Sequence, residues 1–380
     1  MPKKPLKRIC DELNLKGRYV VLRTPMNVPL VNGVIQNQFR ITRGLATMNY
    51  LVKHEARVIL VGHIGDGEPS TEPIAKLLAN HLPSVLFSPE VTGSVSRVMR
   101  DALKDGEVLV LENVRRDPRE KKNDSDFARS LADLGDLYVN DAFADSHREH
   151  ASICAITQFL PSYIGMNFRH ECEELTKART PKSPSLFMLG GAKFDTKMPL
   201  VEQFLEVYDH VFIGGALAHD FFRAKGLEIG KSLVSEVDLT NSPLLYNPKL
   251  LLPVDVTVFD GEKSYVSLPD MVQSHEQIFD MGPATLAMLA PFIQNAASIL
   301  WNGPFGNYEA GYEEFTSETA RLIAAATGYS VIGGGDTVAA IETIGSQEKF
   351  GFLSTAGGAM LTFLETGTLV GIEAILASKS

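Results

Sequence analysis

A glycine-rich junction near residue 334 combines residue types that can hold a phosphate. Three glycines at 333–335 follow the apolar run 329–332, and Asp336 and Thr337 come directly after them. Glycines let backbone N–H groups approach an anion, and a helix that begins here would add the positive end of its dipole. Asp336 could ligate Mg²⁺, and Thr337 could cap the helix or donate a hydrogen bond to a phosphate. A tight strand–helix turn with aspartate as its cap would have the same sequence.

Three more glycine loops lie in the second half of the chain. They read "GGAKFDTK" (190–197), "WNGPFGNYE" (301–309) and "STAGGAM" (354–360). Lys193 and Lys197 share one face if their segment is helical, and two ammonium groups suit a polyphosphate. Two solvated surface lysines are the alternative for that pair, and the GxxxxGK[ST] order of a Walker A loop is absent. Four glycine loops in one half favour a nucleotide phosphate site over isolated turns.

The first half places a different set of side chains at the ends of apolar runs. In a chain of net charge −10, several arginines at such positions suggest a small anionic substrate, because guanidinium groups bind phosphate and carboxylate bidentately. Each arginine alone could equally form a surface salt bridge. With a polyphosphate in one half and a small anion in the other, the chain suggests phosphoryl transfer with domain closure. The set comprises Arg23, Asn27, Arg40, His63, Arg115, Arg148 and His150.

The elements that must position these side chains alternate along the chain. The apolar runs are continuous rather than alternating in polarity, which is typical of strands buried on both faces of a parallel sheet. Helical patterns separate them, so the sequence predicts an α/β protein with doubly wound parallel sheets. The runs are 18–27, 56–67, 107–117, 134–145, 185–195, 210–220, 250–260, 298–307 and 329–337. The helical patterns include 71–82, 124–134, 198–208 and 316–326.

Length and charge distribution suggest how the chain is divided. Its 380 residues correspond to about two domains. A charged helical stretch at 166–180 separates two groups of predicted strands, and we expect it to be a hinge helix. The predicted N-terminal domain is then 1–165 and the predicted C-terminal domain is 181–365.

Composition disfavours several classes of protein. The net charge of −10 is opposite to that of a typical nucleic-acid-binding protein. No segment approaches the roughly 20 apolar residues of a membrane span, and no apolar run follows the basic start. The three cysteines are scattered and form no CxxC pair. We therefore expect a cytoplasmic protein without a membrane or nucleic-acid partner.

Ten short segments, in a fixed order over nearly the whole chain, carry a resemblance to a known family. They are "NVPL" (27–30), "LENVR" (111–115), "YVNDAF" (138–143), "HREHAS" (147–152), "GGAKFDTKM" (190–198), "EIGKSL" (228–233), "LLPVDV" (251–256), "WNGPFGNYE" (301–309), "GGGDTVAA" (333–340) and "FLSTAGGAMLTFLE" (352–365). Together they resemble phosphoglycerate kinase. The resemblance implies two Rossmann-like domains joined by a hinge helix, with the tail 366–380 packing back on the N-terminal domain. It implies a glycolytic enzyme that moves a phosphoryl group between 1,3-bisphosphoglycerate and Mg-ADP, giving 3-phosphoglycerate and ATP, and we expect a monomer.

The resemblance implies roles for individual residues in the first domain, which would hold the glycerate. Arg40 matches the catalytic arginine that stabilises the transferring group. Arg115 and Arg148 match arginines that bind the substrate. Asn27 and His63 match further substrate contacts.

The second domain would hold the nucleotide with its Mg²⁺. Lys193 matches the transition-state lysine and Lys197 the lysine on the nucleotide phosphates. Glu309 matches the ribose ligand, Asp336 the acid on the metal side and Thr337 a phosphate contact. The matched motifs imply further nucleotide-binding positions at Gly191, Gly214, Gly230, Asn302, Gly334 and Gly335.

The chain departs from the family at several positions of the substrate side. Pro25 stands where the family has an aspartate, and proline offers neither a side-chain acceptor nor a backbone N–H. Asp66 stands where an arginine binds the substrate phosphate, and Glu149 adds an acid beside Arg148. Arg116, where the family has an aromatic residue, suggests a compensating phosphate contact, with a plain surface arginine as the alternative.

Departures on the nucleotide side are milder. Ile278 occupies a glycine position, and Ala216 and Ala356 replace two loop glycines. Alanine for glycine costs little unless φ is positive. Three functions therefore stay open: a phosphoglycerate kinase, a paralogue acting on another acyl phosphate or carboxylate, and a non-catalytic nucleotide-binding protein. The retained positions Arg40, Lys193 and Lys197 favour the first.

Overall fold

The computed structural model defines where the helices and strands lie. It describes residues 5–12, 14–192, 197–345 and 347–378. The chain divides into two compact units, here called unit 1 (Met1–Glu173 with Thr368–Ser380) and unit 2 (Glu174–Gly367). No single helix within the described ranges is long and apolar enough to cross a membrane. The short helices Gly358–Thr366 and Val370–Ala377, taken together across a bend, do meet the requirement of length and composition.

Unit 1 is built on a parallel sheet. Its strands are β1 (Tyr19–Arg23), β2 (Leu30–Val31), β3 (Val34–Ile35), β4 (Arg57–Val61), β5 (Val85–Ser88), β6 (Val108–Leu111), β7 (Leu137–Asn140) and β8 (Ser162–Ile164). The sheet has the order β5-β6-β4-β1-β7-β8, and β2 and β3 form a separate antiparallel pair. Val20 and Leu22 pack into one apolar core, whereas Val21 packs into another. Burial on both faces explains why the strands read as unbroken apolar runs.

Helices of unit 1 connect these parallel strands. They are α1 (Phe39–Lys53), α2 (Glu72–Leu78), α3 (Ser94–Ala102), α4 (Ser125–Ala132), α5 (Met166–Ala178) and, near the C-terminus, α12 (Val370–Ala377). Helix α5 begins in unit 1 and ends in unit 2. The alternation of strand and helix brings the carboxyl ends of β1, β4, β6 and β7 to one edge of the sheet.

Unit 2 repeats this architecture with a second parallel sheet. Its strands are β9 (Ser185–Leu189), β10 (His210–Ile213), β11 (Leu250–Leu251), β12 (Val256–Phe259), β13 (Ser264–Ser267), β14 (Gln277–Met281), β15 (Ser298–Asn302), β16 (Tyr329–Gly333) and β17 (Phe352–Leu353). The parallel order is β11-β10-β9-β15-β16-β17. Its helices are α6 (Met198–Val207), α7 (Ala216–Ala224), α8 (Pro283–Asn295), α9 (Glu314–Ala325), α10 (Gly335–Thr343) and α11 (Gly358–Thr366). The predicted α/β class with parallel sheets is confirmed.

One apolar run folds differently from the single buried strand that the sequence suggested. The run 250–260 splits into β11, at the edge of the parallel sheet, and β12, the central strand of an antiparallel sheet ordered β13-β12-β14. Pro253 lies between them and cannot donate a ladder hydrogen bond. Strand β12 alternates between buried and half-buried residues, as expected for an antiparallel strand with one covered face.

Candidate active site

A cavity of about 340 Å³ lies in unit 2, where glycine loops leave the carboxyl ends of the parallel strands. Gly191 follows β9, Ala216 begins α7 after β10, and Asp336 lies in the first turn of α10 after β16. Strand β14 supplies part of the opposite wall. Ligands of open α/β sheets bind at this edge. The lining includes Gly191, Ala216, Ile278, Phe279, Glu309 and Asp336.

The first turn of α10 is shaped to receive an anion. Gly334 has φ +101°, and a β-carbon there would lie 3.2 Å from the backbone nitrogen of Gly303. Gly335 has open space around the position of a β-carbon. The Thr337 hydroxyl is buried and has no hydrogen-bond partner among the described residues. The turn thus offers backbone amides, a helix dipole and an unsatisfied hydroxyl to a phosphate.

Lysine 197 lies at the same edge of the sheet. It directly precedes α6, and its Nζ donates to the backbone oxygen of Gly190 at 2.9 Å. Its ammonium is therefore held against the glycine loop that lines the cavity. Lys193, the other lysine singled out in the sequence, lies outside the described residues.

Of the expected nucleotide positions, Gly191, Glu309 and Asp336 line the cavity. The others do not: Lys197, Gly214, Gly230, Asn302, Gly334, Gly335 and Thr337. A β-carbon on Gly214 would lie 2.6 Å from the Phe305 ring, and one on Gly230 would lie 2.1 Å from the Glu276 carbonyl oxygen. Asn302 is buried, with its amide nitrogen 3.5 Å from the Met360 sulfur. These residues let neighbouring segments approach closely, so they shape the loops around the cavity.

The cavity also contains apolar residues that sequence reasoning did not single out. Phe222, Leu233 and Val256 line it together with Phe279. They come from α7, the loop after it and the antiparallel sheet, so no local motif unites them. Such a lining is typical of a ligand pocket, which is mostly apolar with a few placed polar groups.

The charge pattern at α10 fits a magnesium ion that arrives with phosphates. No group of three or more His, Cys, Asp or Glu side chains that could hold a metal occurs within the described ranges. Asp336 is an exposed carboxylate on the cavity lining. Mg²⁺ commonly takes one or two carboxylates, water and substrate phosphates rather than an all-protein cage. A single acid beside a phosphate-binding turn is consistent with that chemistry.

In unit 1, three of the predicted substrate residues meet around Gly65, which follows β4. Arg40, in the first turn of α1, donates from Nη1 to the Asn27 backbone oxygen at 2.9 Å. Asn27 Oδ1 accepts the N–H of Gly65 at 2.9 Å. Arg115 donates from Nη1 to the Gly65 carbonyl oxygen at 2.7 Å. These hydrogen bonds connect segments that are far apart in sequence, and they bring the guanidinium groups of Arg40 and Arg115 into one cationic region.

Behind that surface lies a buried charged cluster. Arg23 is fully buried, and its Nη2 lies 2.9 Å from His63 Nδ1 and 3.1 Å from Asp145 Oδ2. Burial lowers the pKa of His63 to about 3, despite the opposing charge of Asp145. Burial raises the pKa of Asp145, but Arg23 and the other cations outweigh it and leave that pKa at about 2. At neutral pH the cluster therefore contains an ionised carboxylate, a guanidinium and a neutral imidazole.

Arg148 and His150 complete the basic set. Arg148 is exposed and donates from Nε to His147 Nε2 at 3.1 Å. Burial first, then Arg115 and Arg23, lower the pKa of His150 to about 4. Burial is the largest cause lowering the pKa of Arg115; Asp145 opposes it and the nearby charge of Arg148 adds to it. The charges of these groups therefore act on one another, which places them in one region of unit 1.

Comparison with known proteins decides the family. A family model described as phosphoglycerate kinase matches residues 10–367. The chain belongs to the phosphoglycerate kinase family. A phosphoglycerate kinase of Thermus thermophilus is 37% identical over 383 residues, covering 96% of this chain and 98% of that protein. One of Moorella thermoacetica is 38% identical over 388 residues, covering 96% and 98%.

Solved structures of the family have the same fold. A phosphoglycerate kinase structure from Coxiella burnetii superposes with a TM-score of 0.82 at 35% identity, covering 98% of this chain and 99% of that one. One from Pyrococcus horikoshii OT3 gives 0.85 at 29% identity, covering 97% and 98%. The predicted phosphoglycerate kinase fold is confirmed.

The structure shows what surrounds the two main departures from the family. Pro25 is buried in the loop after β1. Asp66 is 86% exposed at its side chain, and its Oδ1 lies 2.8 Å from Lys121 Nζ and 3.6 Å from Arg115 Nη1. Hydrogen bonding to Lys121 is the main cause that lowers the pKa of Asp66. The acid that replaces the family's arginine is thus itself neutralised by a lysine.

Arg116, for which the sequence suggested a phosphate contact, makes three contacts within unit 1. Its Nε donates to the Gly67 carbonyl oxygen at 3.3 Å and its Nη2 to that of Glu68 at 3.1 Å. Its Nη1 lies 2.9 Å from Glu112 Oε2. Two guanidinium nitrogens hold the loop after β4 and the third pairs with the acid that follows β6, so Arg116 braces this loop of the phosphoglycerate kinase fold.

Two alanines and an isoleucine that replace family glycines cause no backbone strain. The described non-glycine residues with positive φ are Asn32, Glu55 and Asn123, so Ala216, Ala356 and Ile278 are outside that set. Ala216 begins α7, where alanine is favoured. The nucleotide side therefore tolerates these changes locally.

Proposed function

We propose that this chain is a phosphoglycerate kinase, which transfers a phosphoryl group reversibly between 1,3-bisphosphoglycerate and Mg-ADP. Family membership over residues 10–367 supports the activity. The proposal assigns the glycerate to unit 1 and the nucleotide to unit 2. It makes α5, which belongs to both units, the hinge.

The observation that carries the substrate side is a set of buried polar atoms without partners. Among the described residues nothing hydrogen-bonds His63 Nε2, Arg115 Nε or His150 Nδ1. Buried polar groups are normally satisfied, so each such group needs an explanation. A small anion that carries both a phosphate and a carboxylate brings many acceptor oxygens, which suit donors of this kind. With Arg40, Asn27 and the exposed Arg148 nearby, the set fits 3-phosphoglycerate.

The nucleotide side is supported by the cavity of unit 2. In the proposal the amides of Gly334 and Gly335 and the Thr337 hydroxyl hold the phosphates, and Glu309 holds the ribose. Lys197 contributes a positive charge on the loop after β9, and Lys193 is proposed to join it. Gly191 lets the backbone approach the ligand at φ +85°.

The reaction requires positioning and charge neutralisation more than a base. An oxygen of the ADP β-phosphate attacks the phosphorus of the acyl phosphate, and the glycerate carboxylate leaves. Arg40 and the two lysines would stabilise the charge on the transferring group, as preorganised cations do. Mg²⁺, held at Asp336, would neutralise the nucleotide phosphates.

A coupled steady-state assay with 3-phosphoglycerate and Mg-ATP tests the function. We expect turnover that depends on both substrates, and a Lys197→Ala variant that loses about a hundredfold or more in kcat/KM. Lys263→Ala, an exposed lysine of the same unit, is the matched control and should behave as the parent chain. No turnover above the Lys197→Ala level would overturn the proposal.

Two further expectations accompany this function. The monomeric state and the cytoplasmic location suggested by the sequence stay predictions. Light scattering on the purified chain would test the first, with a monomer expected at 41.5 kDa.

A further inference from the structure

The Arg23 guanidinium is surrounded by acceptors and is fully buried. Its Nε donates to Ser152 Oγ at 3.0 Å and its Nη1 to the Thr24 carbonyl oxygen at 2.8 Å. Its Nη2 lies 2.9 Å from His63 Nδ1 and 3.1 Å from Asp145 Oδ2. Because the guanidinium is planar and rigid, these contacts fix the directions in which its N–H groups point.

The contact with His63 settles which ring nitrogen carries the proton. Arginine has N–H donors, no acceptor, and keeps its charge in proteins. At 2.9 Å from Nη2, the Nδ1 atom must therefore accept a hydrogen bond. A neutral imidazole whose Nδ1 accepts carries its single proton on Nε2.

Asp145 does not form the usual pair with this histidine. Its Oδ2 lies 3.7 Å from His63 Nδ1, beyond hydrogen-bond distance. The carboxylate instead contacts the arginine. The familiar arrangement, in which an acid accepts Nδ1–H and Nε2 becomes a base, is therefore reversed here.

We propose that Arg23 is a positioning residue that fixes His63 as the neutral Nε2–H tautomer, so that this N–H donates to an anionic oxygen of the substrate. His63 Nε2 is buried and has no partner among the described residues. This inference rests on the proposed function, because it needs an anionic substrate next to His63.

Burial and the charges around His63 keep its imidazole neutral near pH 7. The charged and titratable groups that act on it are Asp145, Arg23, Arg115 and His150, with Asp66 beyond them. Burial is the largest cause that lowers the pKa of His63, and Arg23, Arg115 and His150 add to it, whereas Asp145 opposes them. The ring therefore supplies a directed hydrogen bond, and the positive charge of the site comes from its arginines.

The direct test is nitrogen NMR of ¹⁵N-histidine-labelled full-length protein at pH 7, without substrate. We expect a protonated Nε2 and an unprotonated Nδ1 for His63, assigned by loss of its signals in His63→Gln. His219 is an internal control in which the other ring nitrogen carries the proton. Its Nδ1 lies 2.8 Å from the Leu233 carbonyl oxygen and must donate. A proton on His63 Nδ1 would overturn the inference.

Two substitutions at His63 test the functional half. Glutamine can place an N–H donor near the position of Nε2, whereas asparagine reaches only the position of Nδ1. We expect His63→Asn to raise the KM for 3-phosphoglycerate about tenfold or more, as for loss of a hydrogen bond to a charged group, and His63→Gln to recover most of that loss. Equal KM values in the two variants would overturn the inference.

Arg23→Gln tests the positioning role itself. Glutamine can accept as well as donate, so we expect a mixture of His63 tautomers in its spectrum and a raised KM. If this variant does not fold, the His63 pair and the parent spectrum still decide the matter. Failure of the proposed function is a separate result: the parent chain would then lack turnover, while its tautomer would still be read without substrate.

Discussion

At the scale of single residues, the main change in charge is at Asp66, which stands where the family has an arginine. Asp66 forms an ion pair with Lys121. An acid at an anion site weakens binding by repulsion. Lys121 Nζ lies 2.8 Å from Asp66 Oδ1, so the acid is paired before a substrate arrives. The side chain of Arg115 is only 7% exposed, and we expect its guanidinium to bind the substrate anion from the buried side of the site. We expect Lys121, 55 positions away in sequence, to reduce the repulsion between Asp66 and the substrate.

Removing Lys121 should expose this dependence. We predict that Lys121→Ala raises the KM for 3-phosphoglycerate about twofold to fivefold with little change in kcat, the usual size of an exposed charge effect. Asp66→Ala should lower that KM. The neighbouring exposed Lys122 supplies the control, and Lys122→Ala should leave it unchanged. Equal KM values for the Lys121 and Lys122 variants would contradict this role.

The predictable part of the site consisted of residue types at strand ends. Arg115 and Asn27 could be named from sequence because they follow parallel strands, whose carboxyl ends come together. Asp145 and Lys121 could not, since only the folded chain reveals which acid faces Arg23 and which lysine reaches Asp66. The carbonyl partners of Arg116 on the loop after β4 have no sequence signature either, and its phosphate contact stays a prediction.

At the scale of elements, two neighbouring glycines at the start of α10 have different roles. One allows the backbone conformation, and the other leaves room for a ligand. Gly334 has φ +101°, a backbone conformation that residues with a side chain rarely adopt. Gly334→Ala should therefore destabilise the protein by about 1–3 kcal/mol.

Gly335 has open space around it. We predict that Gly335→Ala keeps the thermal midpoint of the parent but raises the KM for Mg-ATP roughly tenfold, because its methyl group crowds the phosphate-binding amides. Parent-like KM values for Gly335→Ala would argue against phosphate binding at this turn.

Helix α5 begins beside a buried acid with a displaced pKa. Asp141 Oδ1 accepts the N–H of Phe168 at 3.0 Å, and burial raises the pKa of Asp141 to about 7 against the opposing effect of its hydrogen bonds. A carboxyl group whose pKa is higher in the folded than in the unfolded state stabilises the fold when protonated. Its contribution is full below pH 4 and is lost as the pH rises towards 7.

Urea unfolding of the parent and Asp141→Asn proteins would measure this. Between pH 7.5 and pH 5.5 we predict that the parent gains about 1–2 kcal/mol of unfolding free energy relative to the variant. Asparagine does not titrate, so it removes this term while other groups cancel in the comparison. A difference that is constant with pH would contradict the raised pKa.

The elements themselves were predictable where burial was uniform. Strands β1, β4, β6, β9 and β15 are buried nearly throughout and read as continuous apolar runs. The run 250–260 was misread because apolar content does not tell a parallel edge strand from an antiparallel one. Pro253 was the available signal for that break.

At the scale of the whole molecule, an acidic chain carries a cationic site. The net charge is −10, yet Arg23, Arg40, Arg115 and Arg148 gather at one edge of the sheet of unit 1. Charges farther apart than about 10 Å are largely screened at 0.1 M salt. A substrate anion therefore responds to the local arginines rather than to the total charge. Composition alone could not locate this site.

The central claim is that each unit binds one substrate. Isothermal titration of 3-phosphoglycerate and of Mg-ADP, each against the parent, Arg115→Gln and Thr337→Val, tests it most directly. We predict that Arg115→Gln weakens 3-phosphoglycerate binding about tenfold or more and leaves Mg-ADP binding unchanged. Thr337→Val should weaken Mg-ADP binding alone. Loss of the same ligand in both variants, or of the opposite ligand in either, would contradict the account.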